Sequence, residues 1–336
     1  MLSKILKGFV ILFTKPNIIG IILLSKFSFL IPDKPYLQLM YWLNMGKKLD
    51  LKNPKTFNEK LQWLKLYNHN PAYTVMVDKV KAKEYVAKLI GEEHIIPTLG
   101  VWDDPDDIDF DALPNQFVLK CNHNSGTGMC ICRDKSKLDI EKVKAELRKG
   151  LKENYFMRWR EWPYKNVPRK ILAEKFMVDT EQNKETITKG KLEELNDYKI
   201  FSERYTITLN MEKKKEEVTE LTDYKWFCFN GEPFMMYVSY DNAEHATTDF
   251  FDMNYNRLPL RMKDPNSDNP PAKPKEFEEM REYAKVLSRH IPFLRVDFYV
   301  ISHKVYFGEL TFFHNAGFCK VKPDKWNIKL GKLVKL

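Results

Sequence analysis

Apolar positions recur along this chain with two different periods. Through Lys55–Tyr67, KTFNEKLQWLKLY, they return every three or four residues. Phe57, Leu61, Leu64 and Trp63 or Tyr67 then line one stripe of a predicted helix. Thr56 stands where it can cap that helix, with Glu59 as its capping-box partner. Asp78–Ile90 has the same spacing, with Val80, Tyr85, Val86 and Leu89 as its apolar face and Gly91 as its stop. Asp139–Leu151 is a charged helix and Phe277–Ile291 an amphipathic one. Strand-like runs occupy His94–Trp102, Gln116–Cys121, Met129–Arg133 and Lys170–Met177. Thr222–Phe229 and Glu232–Ser239 flank Asn230-Gly231, the strongest short hairpin turn in the sequence. The tail after Pro323 reads as short and peripheral.

The stretch Arg295–Gly317, RVDFYVISHKVYFGELTFFHNAG, carries the most chemistry. It reads as two strands folding back around Ser302–Lys304, which sets Asp297 roughly opposite Glu309. Glu309 and Thr311 are two apart and share a face. Two carboxylates among Phe298, Tyr299, Phe307, Phe312 and Phe313 are costly to bury unpaired. A hard cation such as Mg²⁺ would offset that cost, and it usually takes one or two carboxylates plus substrate phosphates. The simpler alternative is a surface hairpin with one carboxylate paired to Arg295.

With 336 residues, 43% of them hydrophobic and 13% aromatic, the chain can bury a sizeable core in one large or a few small subdomains. This excludes a disordered composition. The formal charge of +9 suits anionic partners such as nucleotide phosphates, phospholipid head groups or acidic sugars. No zinc-finger spacing, helix-turn-helix pattern or RNA-binding aromatic motif is present, so nucleic acid is not an expected partner. The cysteines are Cys121, Cys130, Cys132, Cys228 and Cys319. Their odd number and the apolar run around Cys130-Ile131-Cys132 favour buried thiols in a reducing cytoplasm over bridges or a metal cluster. Residues 1–45 hold two apolar runs, Ile5–Phe13 and Ile18–Ile31, punctuated by Lys4, Lys7, Lys15 and Lys26 and broken by Pro16. Neither run is long enough to span a bilayer, and no cleavage site follows. A basic, apolar segment on the inner face of the membrane is one reading; helices packed on the domain's own core are the other. Residues 179–221 are charged and weakly periodic, and read as an insertion.

Phe117–Gly128 is a strand followed by the loop Asn122-His-Asn-Ser-Gly-Thr-Gly128, with Lys120 beside it. Backbone N–H groups of such loops can wrap phosphates, and a lysine adds a point charge. The order is not that of a Walker A loop, and an ordinary hairpin fits as well. Taken singly, Lys79 reads as a solvated lysine, Glu174 as a salt-bridge partner, and Asp223 with Lys225 as a structural pair.

Read in order, VDKVKAKEYVAKLIGEEHIIPTLGVW, FVLKCNHNSGTGM, ILAEKFM, DYKWFCFNG and RVDF…VYFGELTFFHNAG resemble the ATP-grasp fold. The TupA-like branch is the nearer match, since TFNEKLQWLKLY and GELTF are typical of it. The resemblance covers about residues 45–330. It implies an α+β protein with two antiparallel-sheet subdomains gripping ATP, preceded by a helical N-terminal region. The expected divisions are a basic apolar segment at 1–45, a helical region at 46–115, a lid subdomain at 116–178, the insertion at 179–221 and a C-terminal subdomain with the Mg²⁺ site at 222–336. By position, Lys79 and Lys120 would contact ATP phosphates, and Ser125, Gly126, Thr127 and Gly128 would form a lid loop over them. Glu174, Lys175 and Met177 would form the adenine hinge, and Asp223 would take the ribose hydroxyls. Asp297, Glu309 and Thr311 would hold Mg²⁺, and Arg295 would steady the transferred phosphoryl group. Thr311 stands where most ATP-grasp enzymes have Asn, and His314-Asn315-Ala-Gly317 where many ligases have a Pro-Gly turn.

The implied reaction joins a carboxylate to an amine through an acyl phosphate, with release of ADP. The branch occurs among bacterial capsule and teichuronopeptide assembly genes. That suggests a uronic acid of a surface polysaccharide, or its precursor, as the acid and an amino acid as the amine. Two other classes fit parts of the sequence. A glycosyltransferase would need a DxD-type metal motif, for which Asp104–Asp107 and Asp109–Asp111 are candidates expected to face solvent. A non-catalytic ATP-binding scaffold would need only the nucleotide site.

Overall fold

The computed structural model describes residues 16–179, 198–201, 221–241 and 246–336. The first 15 residues and most of the expected insertion lie outside the described residues. Among the described residues, ten strands form two five-stranded sheets, every pairing antiparallel. The first sheet has the order β1-β4-β2-β3-β5. Its strands are β1 (Thr98–Trp102), β2 (Phe117–Cys121), β3 (Met129–Cys132), β4 (Ile171–Lys175) and β5 (Tyr198–Phe201). The second has the order β10-β9-β6-β7-β8. It contains β6 (Asp223–Phe229), β7 (Glu232–Asp241), β8 (Ala246–Asp252), β9 (Phe293–Ile301) and β10 (Lys304–Thr311). Strand β1, which the expected divisions place ahead of the lid, pairs with β4 and so belongs to the lid sheet.

Local signals place many of these elements. Helix α3 (Phe57–Tyr67) follows α1 (Pro16–Lys26) and α2 (Asp33–Met45), and starts at the expected capping box. The Thr56 side chain accepts from the Glu59 amide, and the Glu59 carboxylate accepts from the Thr56 amide at 2.9 Å. Asn230 and Gly231 take φ of 52° and 87°, the left-handed pair that closes the β6–β7 hairpin. Ser302 and His303 do the same for β9–β10, at 49° and 59°. Helix α5 (Lys81–Ile90) starts later than expected, after the short α4 (Ala72–Val77). It buries Ala82, Val86 and Ile90, while Leu89 is exposed.

Two hydrophobic cores result. The smaller lies under the first sheet, where Phe117, Leu119, Cys130, Cys132 and Ala173 meet Val143 and Leu147 of α6 (Ile140–Lys152). The larger joins the second sheet to the helices. Trp226 stacks against Phe277 of α8 (Phe277–Leu287) at 4.9 Å, the short α7 (Tyr155–Trp159) having come between α6 and β4. Phe57 of α3 meets Phe293 edge-on at 4.8 Å. All five cysteines are free, and burial raises the thiol pKa of Cys121, Cys130 and Cys228 to about 12.

Two expectations need correction. The tail is not peripheral: α9 (Asp324–Leu333) buries Trp326 and Leu330 in the larger core, against α3. Nor do the described residues of 1–45 all stand apart, because α2 buries Tyr36, Leu37, Met40 and Tyr41 in that core. Tyr36 also donates a hydrogen bond to the Arg158 carbonyl at 2.7 Å. Leu330→Ala should therefore lower unfolding free energy by roughly 2–5 kcal/mol in a denaturant titration. A loss below about 0.5 kcal/mol, the size of a surface change, would show that α9 is not docked.

Candidate active site

Strand β9 lies between β10 and β6, and its alternation separates two kinds of chemistry. Val296, Phe298 and Val300 face the core, while Arg295, Asp297 and Tyr299 face the other way. Lys225 of β6 and Glu309 of β10 are both in register with Asp297. The last pairing depends on a bulge. Phe298 pairs with Phe307, but Asp297 pairs with Glu309, so Gly308 is the extra residue. Without it, Glu309 would share the core face of Phe307. A Cβ at Gly308 would lie 3.0 Å from the Asp297 carbonyl oxygen, which explains why glycine occupies the bulge.

Arg295 organises this face. Its Nε donates to Asp297 Oδ1 at 2.7 Å and its Nη2 to Oδ2 at 2.6 Å, a bidentate pair. The same Nη2 lies 3.7 Å from Glu309 Oε2. Nη1 donates to His314 Nδ1 at 3.1 Å. Nδ1 is thus an acceptor, so the neutral imidazole carries its proton on Nε2. The Asn315 carboxamide nitrogen lies 3.0 Å from Nε2, and turning the amide over sets its oxygen there to accept that proton. Burial, with the Arg295 and Lys225 charges adding to it, holds the His314 pKa well below the ordinary value. Asp297 is 3% exposed; burial pushes its pKa up to about 6, Asp223 adding to the rise and Arg295 opposing it. Asp223 pairs with Lys225 through Oδ2.

Two oxygens on this face, Asp223 Oδ1 and Thr311 Oγ1, are buried and have no hydrogen-bond partner. Such groups are rare unless something else satisfies them. Their positions suit a bound ligand, and all the donors here are oxygens, the set a hard cation prefers. Among the described residues no three His, Cys, Asp or Glu side chains gather as a closed metal cage.

The first sheet brings cations together. Glu174, at the end of β4, is gripped by Lys120 of β2 at 2.5 Å and by Lys83 of α5 at 2.6 Å. Burial raises the Glu174 pKa, but the two lysines outweigh it and hold the carboxyl below its usual range. Glu174 is therefore a shared counter-ion, the salt-bridge partner it reads as when taken singly. Lys79 reaches the carbonyl of Asn124 and lies 3.5 Å from that of Asn122, so it props the loop. Asn122 in turn donates to Asp78 Oδ1 and to the Pro168 carbonyl, both at 2.8 Å. Ser125, Gly126 and Thr127 are half-buried and Gly128 is buried; Thr127 bonds Glu153. Lys175 is exposed and Met177 half-buried, beyond the end of β4. On the second sheet, the Tyr299 pKa is raised first by Asp223 and then by burial.

Lys83 escaped sequence reasoning, and so did the polar side of α3. Asn58, Gln62 and Lys65 recur at helical spacing and are all buried. Asn58 donates to the carbonyls of Gly317 and Cys319, both at 2.9 Å. Gln62 donates to those of Ala316 and Gly317 at 3.2 and 3.0 Å. Lys65 donates to those of Ala316 and Trp159 at 2.7 and 2.9 Å. They hold a turn in which Asn315, Ala316 and Gly317 all have positive φ. A Cβ at Gly317 would strike Gln62 Nε2 at 2.3 Å. The available signal was two polar residues and a lysine interrupting an apolar stripe. The acidic motifs at 104–107 and 109–111 are exposed, and Asp106 is taken by Lys144 and Arg148, so they form no metal site.

The family model for TupA-like ATPgrasp matches residues 59–203 and 191–335. This chain belongs to the TupA-like ATP-grasp family. Its two antiparallel sheets and helical N-terminal region are the α+β ATP-grasp fold. Among solved structures it is similar to the D-alanine–D-alanine ligase of Helicobacter pylori, at 13% identity and a TM-score of 0.39, covering 84% of this chain and 70% of that one. The Bacillus anthracis D-alanine–D-alanine ligase gives 14% and 0.37, covering 70% and 57%. The ATP-grasp ligase PsnB with its minimal precursor gives 9% and 0.33, covering 76% and 58%. The TupA-like chain thus spans little more than half the length of the Bacillus and PsnB chains. No curated protein sequence matches it.

Burial moves the Lys65 pKa down to about 7, against a Glu161 charge that raises it. Unfolded lysine titrates near ~10.4. Between those values the unfolded chain holds a proton that the native one has released, so stability rises with pH. Lys65→Met should remove this slope, which approaches about 1.4 kcal/mol per pH unit at most. Denaturant titrations of both proteins across that range test it; parallel profiles would mean Lys65 stays charged in the native state.

Proposed function

We propose that this TupA-like protein is an ATP-dependent carboxylate–amine ligase that works through an acyl phosphate and releases ADP. The observation that carries the proposal is the pair of unpartnered buried oxygens, Asp223 Oδ1 and Thr311 Oγ1, on the face organised by Arg295. Lysines gather on the other sheet around Glu174, so an anion with an associated cation matches the charge pattern.

In this reading Asp223 accepts from the ribose hydroxyls, and Glu174, Lys175 and Met177 border the adenine. Lys120 exchanges part of its hold on Glu174 for a phosphate oxygen, while Lys83 keeps that carboxylate neutralised. Lys79 and the loop Ser125–Gly128 close over the terminal phosphates. Bound Mg²⁺ would be held by Asp297, Glu309 and Thr311 and would neutralise the triphosphate. Arg295 keeps Asp297 oriented and presents its remaining charge to the transferred phosphoryl group. A substrate carboxylate attacks the γ-phosphorus in line, the bond to ADP breaks, and an amine then displaces phosphate to leave an amide. Positioning and charge stabilisation suffice, and no covalent enzyme nucleophile is needed.

The substrates we infer are a uronic acid of a bacterial surface polysaccharide, or its precursor, and an amino acid or other amine. The support is the family together with the chain's net charge of +9, which favours acidic sugars. The protein works in the cytoplasm, in peripheral contact with the inner face of the membrane.

Thermal shift tests the nucleotide site. Mg-ATP should raise the melting temperature, and Glu309→Gln should weaken that rise, since only a ligand that binds the native state stabilises it. ADP release with uronic acid and amino acid pairs should follow in the wild type. A shift with UDP-sugars and none with Mg-ATP would overturn the ligase assignment.

A further inference from the structure

Helix α1, PNIIGIILLSK, is apolar around its whole circumference. Such a helix needs apolar surroundings on every side. One side has them, because α1 packs on α2. The other does not. Leu23, Phe27, Leu39 and Trp42 line an open groove of about 310 Å³ between the two helices, and Phe29 and Leu30 follow at its end. These six side chains are 45–68% exposed. Contiguous apolar surface of this kind marks an interaction site.

Charge identifies the occupant. Residues 1–48 contain seven lysines and one acidic residue, Asp33, and so carry six of the chain's nine net positive charges. Arg160 pairs with Asp33 at 2.6 Å and neutralises it. Lys26 and Lys34, beside the groove, are exposed. A second copy of the chain on this face would set lysines against lysines. A surface that is apolar at its centre and negative at its rim would not. No helix of the described residues is long and apolar enough to cross a membrane. Exposed aromatic and aliphatic side chains in a lysine-rich stretch of chain match the interfacial zone of an anionic bilayer, where apolar burial and polybasic attraction act together.

We propose that this α1–α2 face is a docking surface for anionic phospholipid, which seats the enzyme against the membrane without spanning it. The proposal deepens the membrane contact inferred above and rests on that reading only for the substrate it brings within reach.

Co-sedimentation of the full chain with phosphatidylcholine vesicles, with and without phosphatidylglycerol, tests it. The wild type should partition to the phosphatidylglycerol vesicles, and less so when salt well above about 0.1 M screens the lysines. Leu23→Gln/Phe29→Gln/Trp42→Gln should lose at least about tenfold in partitioning. Because those side chains are exposed and outside the nucleotide site, its thermal shift with Mg-ATP should match the wild type. Wild-type protein left in the supernatant, equal binding to neutral vesicles, or equal partitioning of the variant would overturn the proposal. So would a dimer in sedimentation equilibrium that the same substitutions dissociate, which would assign the face to a second copy. Vesicle binding needs no ATP, so failure of the ligase assignment would show separately, as absent ADP release in a protein that still sediments.

Discussion

The pairing of Arg295 with Asp297 in the middle of the second sheet is the constraint on which the site depends. Asp297 is buried and Arg295 nearly so, and taking such ions out of water costs several kcal/mol each unless geometry is good. Here the geometry is a two-pronged bond between residues two apart on one strand, so no other element has to move to make it. The guanidinium still has an edge for His314 and a side turned to Glu309. One side chain therefore sets the orientation of one carboxylate, the tautomer of a histidine and the electrostatic setting of a second carboxylate. Removing Arg295 would leave the buried Asp297 carboxylate without its two-pronged partner, a change worth about 3–5 kcal/mol.

The rest of the arrangement follows from opposite walls. Lysines converge on Glu174 in the first sheet, while carboxylates gather around Arg295 in the second. Two lysines on one carboxylate leave the first wall with surplus positive charge, and three carboxylates around Arg295 and Lys225 leave the second with surplus negative charge. Hydrogen bonding is incomplete at two atoms, Asp223 Oδ1 and Thr311 Oγ1, and both lie on the second wall. A polyanion bound with its cation would satisfy both walls at once, whereas a bare anion would meet Glu309 and Asp297 unfavourably.

Sequence made the local features legible. The capping box at Thr56 and Glu59, the Asn230-Gly231 turn and the β9–β10 hairpin are decided by residues within a few positions of each other, so pattern reading reached them. Ordered motifs also made the ATP-grasp resemblance legible, from Lys79 to Thr311. The bulge at Gly308 was not read, although it alone puts Glu309 on the same face as Asp297. The double grip on Glu174 joins a helix at Lys83 to strands at Lys120 and Glu174, and nothing local announces it. The tail was misjudged because the burial of Trp326 and Leu330 depends on a helix more than 250 residues earlier, as the Asn58–Asn327 contact shows.

The polar side of α3 explains how a strained turn can sit beside the reactive face. Asn315 and Ala316 adopt a left-handed backbone that disfavours residues with a Cβ, and each such residue costs of the order of 1–3 kcal/mol. Asn58, Gln62 and Lys65 offset this by donating to the carbonyls that the turn leaves without helical partners. They read main chain, not side chains. The side chains of the turn are thus left to face the site, and His314 uses that freedom to meet Arg295. A helix at the start of the chain consequently acts on the reactive face through three carbonyls near its end. Under the proposed function, a change of the His314 side chain alters what a substrate meets and leaves in place the hydrogen bonds from α3 to the main chain of the turn.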